Sequence, residues 1–142
     1  MGESIKSTEE AGMHTIEEKS TDPTQYSPLA LAYLGDAVYE LIVRKRVLQK
    51  GNRQVEKLHK ESTGYVNAGA QAELMMKIEN LLTDEEKAVY KRGRNANAHA
   101  APKNQDVIAY RKATGFEALI GWLYLKGEYD RILKLTGYSM DE

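Results

Sequence analysis

From Ser27 onward, apolar positions recur at the spacing of one face of a helix rather than alternating as in a strand. Ser27-Pro28 marks a start, since Ser caps free amides and Pro suits the first helical position. Leu31, Leu34, Val38, Leu41 and Ile42 then form a stripe expected to face the core, in a helix running to about Gln49 with Gly51 as its stop. A second helical region covers about residues 52–80, with Gly64 expected to divide or bend it and Val66, Ala70, Leu74 and Ile78 striping its later part. Thr83 and Glu86 have capping-box spacing and open a helix that holds Ala88 and Val89 and ends near Gly93. Pro102 interrupts the connection RGRNANAHAAPKN. A long helix is predicted over residues 104–126, stopped by Gly127, and a short one over 128–135 before Gly137. No segment alternates as a strand and no repeat has a fixed spacing, so the pattern predicts an all-α domain of five or six helices.

Composition narrows the class. The chain has 142 residues and no Cys, enough for one domain with a hydrophobic core and without disulfides or thiolate metal sites. No apolar run reaches the ~20 residues of a membrane span, and the first residues lack a signal-peptide pattern, so a soluble cytoplasmic protein is expected. The net charge of −1 hides an asymmetry: residues 1–22 carry −4, which leaves +3 on the rest. Residues 1–22 are therefore expected to be a disordered acidic tail, and 23–142 the folded domain.

Two isolated acids carry the candidate chemistry. Asp36 is the only charged side chain between Pro23 and Tyr39, and Glu117 the only one between Ala113 and Leu125. A carboxylate in apolar surroundings is costly unless paired, hydrogen-bonded or bound to a metal. Gly35 beside Asp36, and Ala118 and Gly121 beside Glu117, leave room for two helices to cross closely. Such a crossing would join both carboxylates into a site for Mg²⁺, with Mn²⁺ as a substitute. The alternative is that each acid pairs with its own cation, for which Arg44, Arg111 and Lys112 are available. The three histidines lack metal-ligand spacing.

Tyr33-Leu34-Gly35-Asp36-Ala37-Val38, followed at a distance by Phe116-Glu117-Ala118-Leu119-Ile120-Gly121-Trp122-Leu123, resembles the catalytic domain of the ribonuclease III family. Val66-Asn67 with Ala72 and Leu74 is similar to that family's middle helix, and the likeness covers about residues 28–135. The fragments LALAYLGDAVYE, LHKES, RGRNAN, PKNQDV and YRKATGFEALIGWLYL are most similar to its Mini-ribonuclease III subfamily, which has the catalytic domain without a double-stranded-RNA-binding domain; the end at Glu142 fits that expectation. The resemblance implies a homodimeric, Mg²⁺-dependent endoribonuclease that cuts double-stranded RNA. It further implies maturation of the ends of 23S ribosomal RNA precursor in the cytoplasm, with a ribosomal protein of the large subunit as a helper.

Residue by residue, the resemblance places metal ligation and catalysis on Asp36 and Glu117. Two further acidic positions of the family fall on Ala32, which cannot ligate, and on Thr114, which could act only through its hydroxyl or a water. Glu40 and Asp106 are candidates for an outer carboxylate, although Glu40 also suits a salt bridge. Lys91, Arg92, Arg94 and Lys103 cluster around the basic connection, with Arg111 and Lys112 behind it, and are candidates to follow RNA phosphates. Asn95, Asn97 and His99 are candidates for added hydrogen bonds. Leu29 and Tyr33 share the face of Asp36 and are candidate dimer contacts, against the alternative that Tyr33 is a core tyrosine. The rival functional readings are a non-catalytic RNA-binding or ribosome-associated module with the same fold, and a helical interaction domain with incidental acids.

Overall fold

The computed structural model describes residues 22–96 and 106–137. Its regular elements are all helical: α1 (Pro28–Gln49), α2 (Val55–Val66), α3 (Ala68–Ile78), α4 (Asp84–Arg94), α5 (Val107–Leu125) and α6 (Tyr129–Thr136), with 3₁₀ turns at Pro23–Gln25 and Glu79–Leu81. The expected all-α class is what the chain adopts. Among the described residues no helix is long and apolar enough to cross a membrane.

Local chemistry sets the boundaries. Ser27 Oγ accepts from the Ala30 N–H at 3.1 Å and starts α1. The Thr83–Glu86 capping box forms as expected, with reciprocal bonds of 3.1 and 2.9 Å. Helix α5 ends where Gly127 takes a φ of +77°, which lets the Glu128 N–H reach back to the Leu123 carbonyl at 2.9 Å.

Three expectations are corrected. The second helical region breaks at Asn67 rather than Gly64, which lies inside α2. Asn67 supplies what the break needs: its Oδ1 caps the Ala70 N–H at 2.8 Å and its amide donates to the Thr63 carbonyl at 3.0 Å. The long helix starts at Val107 because Asp106 is its N-cap, accepting from the Ile108 and Ala109 N–H groups at 2.9 and 3.3 Å. The core stripe of α1 is Leu31, Gly35, Tyr39, Val43 and Val47, whereas Leu41 is 57 % exposed and Leu34, Val38 and Ile42 are only half-buried.

The rotation of α1 follows from how tightly it meets α5. A Cβ on Gly35 would overlap the carbonyl oxygen of Glu117 and lie 2.8 Å from the Gly121 nitrogen. A Cβ on Gly121 would overlap the Leu31 carbonyl oxygen. The two backbones thus touch at their glycines, and the residues one turn away on α1, such as Tyr39, are pressed into the core, where its ring meets Phe116 edge-on at 5.0 Å. A stripe drawn from bulky apolar residues alone gives the glycine no weight. Helix α4 crosses α5 in the same way, since a Cβ on Gly93 would lie 2.7 Å from Ala118 Cβ. Around the central α5, which buries Phe116, Leu119, Ile120 and Leu123, the core takes Leu74 and Ile78 from α3, Val89 and Tyr90 from α4, and Ile132 and Leu135 from α6.

Candidate active site

The glycine contact fixes what lies beside it. Asp36 follows Gly35 on α1, and Glu117 lies one turn before Gly121 on α5. Their carboxyl groups meet within hydrogen-bond reach. The two acids border a cleft of about 160 Å³, lined also by Leu29, Ala32, Tyr33, Gly93, Arg94, Tyr110, Arg111 and Thr114.

Glu117 is the electrostatically unusual group. Burial first, then the nearby Asp36 charge and the hydrogen bond with Asp36, together push its carboxyl up to about 8, with only the Gln71 side chain acting in the opposite direction. Near neutral pH the Glu117 carboxyl thus tends to hold its proton unless another cation replaces it. Neither acid has a salt bridge among the described residues, so the alternative of separate cationic partners does not hold. The basic residues nearby are otherwise placed: Arg44 pairs with Glu40 at 3.1 Å, and Arg94 lies over the Tyr90 ring.

This donor set fits a hard divalent ion. Two carboxylates at a half-open cleft, with space for water and a phosphate oxygen, match the sparse protein ligation that Mg²⁺ accepts. Among the described residues no group of three or more His, Cys, Asp or Glu side chains lies close enough to hold a metal, so no third acid joins the pair. Glu40 is occupied by Arg44, and Asp106 by the start of α5. Thr114 lines the cleft, but its hydroxyl donates to the Tyr110 carbonyl at 3.0 Å, which leaves its oxygen free only as an acceptor. Ala32 lines the cleft without any donor.

The other site residues separate into two groups. Leu29 and Tyr33 rim the cleft, and Tyr33 is 84 % exposed, which removes the reading of a core tyrosine. Arg94 is half-buried and faces the cleft, while Lys91 and Arg92 are exposed on the last turn of α4. Lys103, Asn97 and His99 lie outside the described residues, as do residues 1–21 of the acidic tail. Arg111, expected only behind the basic connection, lines the cleft itself. Gln71 was passed over by the sequence reading. Its only signal was a lone amide within the apolar run of α3, between Ala70 and Ala72.

Known proteins share this sequence and fold. Residues 29–128 match the family described as Ribonuclease III domain. The chain is 49 % identical over 114 residues to the Mini-ribonuclease 3 of Thermoanaerobacter sp. (strain X514), covering 80 % of each chain. It is 47 % identical to the Mini-ribonuclease 3 of Brevibacillus brevis, covering 84 % of this chain and 90 % of that one. A crystal structure of a protein from Fusobacterium nucleatum superposes with a TM-score of 0.76 at 39 % identity, covering 84 % of this chain and 95 % of the other.

Proposed function

This chain belongs to the ribonuclease III family, in its Mini-ribonuclease III branch, and from that premise we propose that it is an endoribonuclease that cuts double-stranded RNA with a divalent metal held by Asp36 and Glu117. The observation that carries the metal reading is the convergence of two carboxyls with no salt bridge to either among the described residues, one of them pushed up to about 8 by burial and by the other. Mg²⁺ is the expected ion, with Mn²⁺ as a substitute; when bound, it polarises water and neutralises charge on the phosphate and the leaving 3′ oxygen.

The chain's own residues set the conditions for that chemistry. Glu117 gives up its proton when the ion binds, so metal affinity rises with pH. The glycine contact between α1 and α5 holds the two carboxylates together before any ion arrives, which removes part of the ordering cost. Arg94 and Arg111 place positive charge on the cleft wall, where a phosphodiester approaching two carboxylates needs it. Lys91, Arg92 and Lys103 extend that charge outward as phosphate contacts along an A-form duplex. The products expected are a 5′ phosphate and a 3′ hydroxyl.

The same reading takes residues 23–142 as the catalytic domain, with 1–22 as a tail outside it. Two copies are proposed to form a homodimer through Leu29 and Tyr33. An apolar surface supports this: it runs from the exposed Tyr33 along Ala37 and the exposed Leu41 into a groove walled by Leu34, Val38 and Leu133. Maturation of 23S ribosomal RNA precursor in the cytoplasm, aided by a ribosomal protein of the large subunit, is the substrate assignment that the family likeness favours. The test is cleavage of a double-stranded RNA by purified protein with Mg²⁺, beside Asp36→Asn. Cutting by wild type and none by a folded variant is expected. Equal cutting by both removes Asp36 from the site, and binding without cutting by wild type favours the non-catalytic RNA-binding reading.

A further inference from the structure

The cleft beside Asp36 and Glu117 holds one polar group that neither a metal nor a phosphate requires. Tyr110 lines this cleft and is half-buried. The other tyrosines drawn in from solvent, among the described residues, are engaged through their rings. Tyr39 meets Phe116 edge-on, Tyr65 lies under the Lys50 ammonium, Tyr90 under the Arg94 guanidinium, and Tyr124 and Tyr129 meet at 5.5 Å. Tyr110 uses only its backbone: the N–H donates to the Asp106 carbonyl at 2.9 Å, and the carbonyl accepts from the Thr114 hydroxyl at 3.0 Å. Its phenol has no hydrogen bond or ring partner among the described residues. The rest of the polar wall is specialised. Ionised carboxylates accept, the Arg94 and Arg111 guanidiniums only donate, and the Thr114 hydroxyl has given its proton to that carbonyl. A phenol both donates and accepts. Tyr33 carries one too, but stands 84 % exposed at the rim.

We propose that the Tyr110 hydroxyl contacts a ribose 2′-hydroxyl of the bound strand and is a determinant of specificity for RNA over DNA. This rests on the reading of the cleft as a nuclease site for double-stranded RNA. A phosphate is an anion that only accepts, and Arg94 and Arg111 already supply donors of the right charge. A ribose hydroxyl is neutral and both gives and takes hydrogen bonds, which a free phenol matches. It is also the group by which a protein tells RNA from DNA. The placement of Tyr110 fits a sugar beside the cut rather than at it. Tyr110, Thr114 and Glu117 share one face of α5 and line the same cleft. At 1.5 Å per residue, Tyr110 lies about 10 Å along the axis from Glu117. A strand whose phosphate reaches the carboxylates therefore passes Tyr110 at a neighbouring nucleotide.

The experiment is a cycle of protein and substrate changes on the full chain. Cleavage with Mg²⁺ is measured as kcat/KM for wild type and Tyr110→Phe. An all-RNA duplex is compared with duplexes carrying a single 2′-deoxynucleotide, placed in turn at each position on either side of the cut. Binding of the same duplexes in chelator, and thermal unfolding, are followed alongside. Tyr110→Phe removes only the hydroxyl, which the fold does not use, so its unfolding temperature is expected to match wild type. It is expected to cut all-RNA about 5- to 10-fold more slowly, the loss of one hydrogen bond. At one position the deoxy substitution is expected to slow wild type by a similar factor and Tyr110→Phe not at all, because the contact is already gone. A full deoxy penalty in Tyr110→Phe at every position, the result expected if the phenol held a phosphate, overturns the proposal. So does unchanged cutting of all-RNA. A lowered unfolding temperature overturns it as well, by showing that the hydroxyl serves the fold. If wild type cuts no duplex, the nuclease reading fails, and the same cycle read as binding decides the Tyr110 contact by itself: coupling at one position keeps it, and none removes it.

Discussion

Two glutamates of this small helical domain are withdrawn from solvent, one buried and one half-buried, and they meet opposite fates. Glu86, on α4, is 5 % exposed. Burial pushes its carboxyl up, but Arg131 at 2.8 Å and the capped Thr83 N–H more than offset this and hold it below the ordinary value. Glu117, on α5, pairs with no arginine among the described residues but meets the carboxyl of Asp36, and it is driven up to about 8. The first glutamate is satisfied by the fold alone. The second has no salt bridge among the described residues. That difference marks Glu117 as the chemically unusual carboxylate better than burial does, because the paired Glu86 is the more buried of the two.

The comparison can be broken most sharply by activity. Asp36→Asn and Glu117→Gln are expected to lose cleavage of double-stranded RNA essentially completely and still fold, while Glu86→Gln keeps cleavage per folded molecule. A cleavage defect in Glu86→Gln equal to that of Glu117→Gln would erase the distinction. Next in size is the glycine contact that creates the chemical pair. Gly35→Ala forces a methyl group into the Glu117 carbonyl, and is expected to cost about 3 kcal/mol or more in denaturant unfolding. An unchanged midpoint would mean that the two helices are not locked together there. Removal of the structural pair comes next. Glu86→Ala strands Arg131 and uncaps Thr83, for an expected loss of about 3 kcal/mol, whereas Glu117→Gln in chelator costs nothing and is expected to stabilise.

The two carboxylates also give pH dependences of opposite sign. Glu117 is raised in the folded state, so without metal the folded form binds its proton more tightly than the unfolded chain. That contribution is full below its ordinary value of 4.5 and is lost as pH rises toward about 8. Glu86 is lowered, so its contribution is present above 4.5 and is lost as pH falls through its depressed value. Unfolding in chelator from pH 4 to 9 should show Glu117→Gln removing the loss at the alkaline end and Glu86→Gln removing the loss at the acid end. Identical profiles for the two variants would contradict the assignment. The smallest effect is expected at Arg94: Arg94→Ala should weaken RNA binding and reduce the salt slope by about one counterion, measured as log affinity against log salt.

Much of this was legible before the structure. The ends of α1 followed from Ser27-Pro28 and Gly51, and the start of α4 from Thr83 and Glu86, because caps are local chemistry within a few residues. The meeting of Asp36 and Glu117 was legible as one of two readings of the isolated acids, because small residues beside them allow the helix backbones to touch. What could not be read depends on partners distant in sequence. Glu86 was visible as a cap, but its pairing with Arg131, 45 residues away, was not. Gln71 looked like one polar residue in an apolar helix, because its hydrogen-bond partner sits on α2. Asp106 was misplaced because a face of the long helix and the cap before it have the same composition, and Gly64 because a helix-breaking residue was preferred to the Asn67 cap that actually divides α2 from α3.

The most direct test of the central claim is thermal unfolding at pH 8, with and without Mg²⁺, of wild type and Glu117→Gln. If Asp36 and Glu117 await a shared divalent ion, wild type gains stability on adding Mg²⁺, and the variant starts more stable in chelator and gains nothing. An equal gain in both proteins, or none in wild type, would contradict it.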